Sequence, residues 1–182
     1  VIGSMLASLN IVREREIGTI EQINVTPIRK YQFIIGKLIP FWIIGLFDLA
    51  LGLGFAKLVF GLPTTGNMMA LFGFAGLFLL AILGFGLFLS TFSETQQQAM
   101  FISWFFMLVF LLMGGVFTPI ESMPQWAQVL TWFNPVSYMV QVLRLVLLKG
   151  SGFMDLWPFF LKMTGFVIAL NAFAVLNYRK TT

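Results

Sequence analysis

The chain has 182 residues, of which 59% are hydrophobic and 10% charged, with a formal charge of +4; an ordinary soluble domain carries about 25% charged residues. Cysteine and histidine are absent, which excludes disulfides, thiolate chemistry, zinc sites built on either residue and an imidazole general base. The basic residues cluster beside apolar runs, a pattern of membrane orientation, so a lipid bilayer is the expected partner and nucleic acid is not.

Val1 to Val12 (residues 1–12) is too short to span a bilayer and no basic segment precedes it, so it reads as the end of a severed span and not as a signal peptide. Residues 13–26 follow as a mixed-charge segment. Drawn as a helix, it places Ile17, Ile20 and Ile23 on one stripe, with Arg15, Gly18 and Gln22 opposite. Such a helix could lie on anionic lipid or dock against a protein. Glu14, Glu16 and Glu21 nearly cancel Arg13 and Arg15, whereas lipid-binding helices are clearly basic, which favours the protein.

Four apolar runs are expected to cross the membrane, over residues 34–60, 67–92, 99–117 and 156–178. The first is longer than the bilayer core and must tilt, bend or protrude, with Pro40 as a bend and Lys37 marking an end near the headgroups. The uncharged turn Gly61–Asn67 and the link Ser93–Gln98 join neighbouring spans. Residues 118–155 contain Pro119, Pro124 and Pro135 and two helical stretches too short to cross. In the first, Ser122 precedes Gln125 at capping-box spacing, and Trp126, Val129, Leu130 and Phe133 fall on one apolar side. In the second, Ser137, Gln141 and Arg144 form a polar stripe. This pair is expected to be a helical hairpin that enters the membrane or lies on it.

Arg13, Arg15, Arg29, Lys30 and Lys37 flank the first span, and Arg179 and Lys180 follow the last. Alternation of four spans puts both clusters on one side, which the positive-inside rule makes cytoplasmic, so residues 13–33 and the C-terminus are inside and the hairpin is outside. The fold class is therefore an all-α membrane protein: a polytopic helical bundle with a cytoplasmic amphipathic helix and an extracytoplasmic helical hairpin.

Little here can carry chemistry. The Gly36–Lys37 pair lacks the earlier glycine of a phosphate-binding loop, and there is no serine elbow, paired carboxylates or metal-ligand spacing. No catalytic residue and no bound cofactor or metal is expected. Asp48 is the one acid deep inside a span, either a polar spot on a pathway or a group satisfied between helices. Small residues at helix-packing spacing, Ala50 with Gly54, Gly52 with Ala56 and Gly86 with Ser90, suit close helix contact.

The stretch "REREIGTIEQINVTPIRKYQFIIGKLIP" resembles the cytoplasmic segment of type-2 ABC exporter permeases, and "LLMGGVFTPIESMPQWAQVLTWFNPVSYMVQVLRLVLLKG" is similar to that family's pattern ahead of its last span. The resemblance implies the C-terminal part of a bacterial multidrug-type transmembrane subunit in the inner membrane. It would work as a dimer with a second permease copy or homologue and with ABC ATPase subunits, which bind ATP and Mg. It also implies a coupling helix seated in the ATPase, made of Arg13, Glu14, Arg15, Glu16, Gly18, Thr19, Glu21 and Gln22. Pro119, Glu121, Pro124, Asn134, Pro135 and Arg144 would belong to an outer hairpin near the gate. The alternative is an ion- or proton-coupled secondary transporter using Asp48; a non-transporting membrane scaffold is a third option.

Overall fold

The computed structural model describes residues 2–18, 30–61 and 66–177, all of whose regular elements are helical. In chain order these are α1 (Ile2–Glu16), α2 (Lys30–Phe60), α3 (Met68–Thr91), α4 (Gln96–Leu112), a 3-10 turn (Ile120–Ser122), α5 (Gln125–Thr131), α6 (Pro135–Lys149) and α7 (Phe153–Asn177). Three of them contain stretches long and apolar enough to cross a membrane: Ile35–Phe60, Met68–Thr91 and Phe153–Ala174.

Helix α3 is the axis of the bundle. Asn67 caps it by accepting a hydrogen bond from the Ala70 amide (3.1 Å), and buried residues occur along its whole length, from Ala70 to Ser90. At one end Leu71 and Phe74 pack with Val142 and Val146 of α6 and with Leu156 and Met163 of α7. At the other, Leu83 and Leu87 pack with Ala7 and Ile11 of α1, Leu38 of α2 and Ala174 of α7. Lipid offers little hydrophobic drive for helix association, so close approach at small residues and hydrogen bonds between helices must supply it. A methyl group at Gly86 would collide with the Ser4 carbonyl of α1, and one at Gly84 would overlap the Asn171 side chain of α7. Trp42 Nε1 donates to the Gly76 carbonyl (2.9 Å) and Asn171 Nδ2 to the Leu80 carbonyl (3.3 Å), tying α2 and α7 to the axis. Of the small-residue pairs expected from spacing, Gly86 thus serves a contact, whereas Gly52 and Gly54 face open space.

Several boundaries differ from those read in the sequence. Helix α1 runs unbroken through Arg13 to Glu16, because no Gly or Pro separates the apolar stretch from the charged one. It ends at Gly18, whose φ of 78° is the left-handed conformation typical of a residue just past a helix end. The first turn of the helix expected over 13–26 is therefore the last turn of α1; residues 19–29 lie outside the described residues. Helix α4 starts at Gln96, earlier than the apolar run, because Thr95 caps it through the Gln98 amide (3.2 Å). It stops at Leu112, short of Phe117, where Gly115 adopts a φ of 80°. Its 17 residues make about 26 Å, a little less than a bilayer core of about 30 Å. The capping box at Ser122 does not form: the hydroxyl donates instead to the Pro119 carbonyl (2.7 Å) inside the 3-10 turn, and α5 begins after Pro124 without a side-chain cap.

Candidate functional site

Two polar assemblies stand at opposite ends of α4. The first gathers the end of α1, the start of α2 and the start of α4. Asn10 and Glu14 lie four residues apart and so share one face of α1. Lys37 of α2 reaches both: its Nζ donates to Asn10 Oδ1 (2.9 Å) and pairs with Glu14 Oε1. Both members of the ion pair are partly buried, and the second Glu14 oxygen is buried with no hydrogen-bond partner. Glu16, about 200° further round the helix, faces α4 instead. It accepts from the Gln96 backbone amide (2.8 Å) and from Gln96 Nε2. The side-chain bond from Gln96, then its backbone bond, hold the Glu16 carboxyl below its ordinary value of 4.5. Gln96 is the first residue of α4, so this carboxylate sits at the positive end of that helix's dipole.

This placement explains a local anomaly. Acids in the last turn of a helix oppose its dipole, yet α1 ends in Glu14 and Glu16. Both are accommodated because each has a tertiary partner on another helix. Arg13 and Ile17 are exposed in the same turn, as is Glu16. The remaining expected interface residues, Thr19, Glu21 and Gln22, fall outside the described residues, as does the side chain of Arg15.

The second assembly is the hairpin of α5 and α6, and it solves a backbone problem. Trp132 and Phe133 form the turn between its helices and, with Tyr138, Lys162, Phe166 and Ala169, line a groove of about 680 Å³. The Tyr138 ring lies 5.9 Å from that of Phe166, which is about 20 Å along α7 from Phe153, so the hairpin reaches into the bundle. Irregular backbone at that depth needs internal partners. Asn134, buried, caps α6 by accepting from the Val136 amide (2.9 Å), and its Nδ2 donates to the Phe110 carbonyl of α4 (2.9 Å). Ser137 Oγ is within hydrogen-bonding distance of the Thr131 (3.0 Å) and Asn134 (2.8 Å) carbonyls, and Tyr138 donates to the Trp132 carbonyl (3.0 Å). Arg144 NH2 donates to the Gly115 carbonyl (2.6 Å), securing the turn that ends α4. Lys162 lies over the Tyr138 ring, 5.6 Å from its centre.

The structure thus bonds Asn134 to the end of α4 and Arg144 to the turn that follows it, and buries Pro135, while Pro119, Glu121 and Pro124 are exposed on the approach to α5. The apolar side of α5 carrying Trp126, Val129, Leu130 and Phe133 is also exposed. Asp48 sits exposed midway along α2 and lines neither that groove nor the smaller one between α4 and the hairpin. Among the described residues, no group of three or more acids could hold a metal. Sequence reasoning missed Asn10, Gln96 and Asn171 and read Lys37 as a headgroup marker and an orienting cation, without its partners. The available signal was the pair of acids at a helix end that disfavours them.

The sequence is similar to those of several known permeases. The "Probable multidrug ABC transporter permease YbhR" of Escherichia coli K12 is 34% identical over 162 residues, covering 86% of this chain and 44% of the relative. The "Probable multidrug ABC transporter permease YbhS" of the same strain is 34% identical over 153 residues, covering 83% and 40%. The "Inner membrane transport permease YhhJ" is 30% identical over 185 residues, covering 100% and 49%. The chain therefore spans less than half the length of these relatives. A profile described as "ABC-2 type transporter" matches residues 1–148, and the chain belongs to the ABC-2 type transporter family.

Proposed function

We propose that this chain forms the coupling and gate-proximal part of a permease subunit in an ATP-driven exporter of the inner membrane. A separate ABC ATPase binds ATP and Mg, and a second permease copy or homologue completes the translocation path. The mixed-charge segment after α1 docks on the ATPase in the cytoplasm, and the α5–α6 hairpin borders the outer gate.

The observation that carries this reading is geometric. The mixed-charge segment begins at the end of α1, where α1, α2 and α4 are bonded together at the start of α4, whereas the hairpin is bonded to the other end of that helix. A displacement applied at the first site is delivered directly to α4, which reaches the second. ATP-driven closure of the partner subunits would supply that displacement, and closely packed helices would transmit it.

The test is cross-linking in the assembled transporter. A photoreactive group at Gln22 of the full-length permease is expected to capture an ATPase subunit, and one at Glu121 is not. Capture of the ATPase from Glu121, or from neither position in a transport-competent preparation, refutes the reading. The rival in which Asp48 carries a coupling proton predicts gradient-driven uptake without any ATPase.

A further inference from the structure

We propose that Glu14 and Glu16 are positioning residues that strut the coupling segment to α2 and α4, and are not contacts for the ATPase. This inference rests on the functional reading above and reassigns two of its expected interface residues.

Both carboxylates are already engaged. Glu14 is partly buried and paired with Lys37, which Asn10 also binds, so the contact joins α1 to α2 at two points one helical turn apart. Glu16 is exposed, but both its oxygens accept from Gln96, so a protein ligand would have to displace the groups that start α4. A docking role would leave these acids without partners inside the chain; instead both are bonded to other helices, while Arg13 and Ile17 are exposed in the same turn.

The angular relation gives the arrangement its mechanical sense. Two residues separated by about 200° on one helix reach two different neighbours, so α1 cannot rotate or slide without disturbing α2, α4 or both. Gly18, two residues later, turns the chain out of the helix. A load arriving from beyond Gly18 therefore meets a helix end braced on both sides. It passes into α2 through an ion pair and into α4 through its capped N-terminus. The docking surface then includes Arg13, Ile17 and the segment beyond Gly18.

The experiment uses the full-length permease with its ATPase in vesicles and compares Glu14→Lys, Lys37→Glu and the double exchange. Each single variant is expected to lower transport per ATP hydrolysed about tenfold, a coupling typical of residues in direct contact, with ATPase co-purification unchanged. The exchange restores most of the loss. Glu14→Gln and Glu16→Ala, which introduce no repulsive charge, serve where a reversal impairs folding and are expected to lower the same ratio with the complex intact. Loss of ATPase binding in Glu14→Lys without rescue by the exchange overturns the strut, as does unchanged coupling in all single variants. Absence of an ATPase from the unmodified, active protein overturns the functional reading and the strut with it.

Discussion

Replacing Asn134 by Ala removes two interactions that the structure separates cleanly. One is the cap of α6, where Oδ1 accepts from the Val136 amide; losing such a cap costs about 1 kcal/mol. The other is the bond from Nδ2 to the Phe110 carbonyl. That carbonyl lies in the last turn of α4, where helix carbonyls have no partner within the helix, and the amide of Gly114 is directed to Leu111 instead. Polar contacts between helices in lipid average about 0.6 kcal/mol, so the expected total is about 1.6 kcal/mol. In the full-length permease, whose relatives are more than twice as long as this chain, that lowers the thermal midpoint by about 2 °C, measured in detergent. Asn134→Ser restores a good cap but is too short to reach Phe110, so it should recover roughly the first 1 kcal/mol and no more. An Ala variant as stable as the parent, or a Ser variant no better than Ala, would refute the reasoning.

Other substitutions probe different links. Gly86→Ala drives a methyl group into the Ser4 carbonyl and should cost about 1–3 kcal/mol, whereas Gly52→Ala meets open space and should be neutral or slightly stabilising; comparing their thermal midpoints checks this. Glu16→Gln should be less stable than the parent at neutral pH. Because Gln96 holds the parent carboxyl below 4.5, the advantage is complete above that value and disappears as pH falls through the lower, folded-state value; a difference that grows on acidification contradicts the assignment. Asp48→Asn should leave ATP-driven transport intact, and its loss with the ATPase still bound would move Asp48 into the mechanism.

Much of the fold is legible because long apolar runs leave a chain few alternatives to helices in lipid. The segments around α2, α3 and α7 are of this kind. Ends are less legible, because they depend on single residues: Gly18 and Gly115 end helices whose apolar or periodic pattern continues past them, and the Thr95 cap extends α4 into a polar link. The hairpin's polar residues stand out in sequence, yet their partners do not, since Phe110 and Gly115 contribute backbone carbonyls that any residue would offer. The same limit hides the struts. Glu14 and Lys37 are separated by 23 positions, and Glu16 and Gln96 by 80, so composition and periodicity within one helix cannot reveal that they meet.

Sidedness decides the central claim, because an elbow that takes force from a cytoplasmic ATPase must face the cytoplasm while the hairpin faces away. Single cysteines introduced at Glu21 and at Glu121 in the full-length permease, on a background without other cysteines, can be labelled with an impermeant reagent in sealed vesicles of known orientation. The account predicts that the Glu21 position reacts only from the cytoplasmic face and the Glu121 position only from the opposite face. Labelling of both positions from the same face would contradict it.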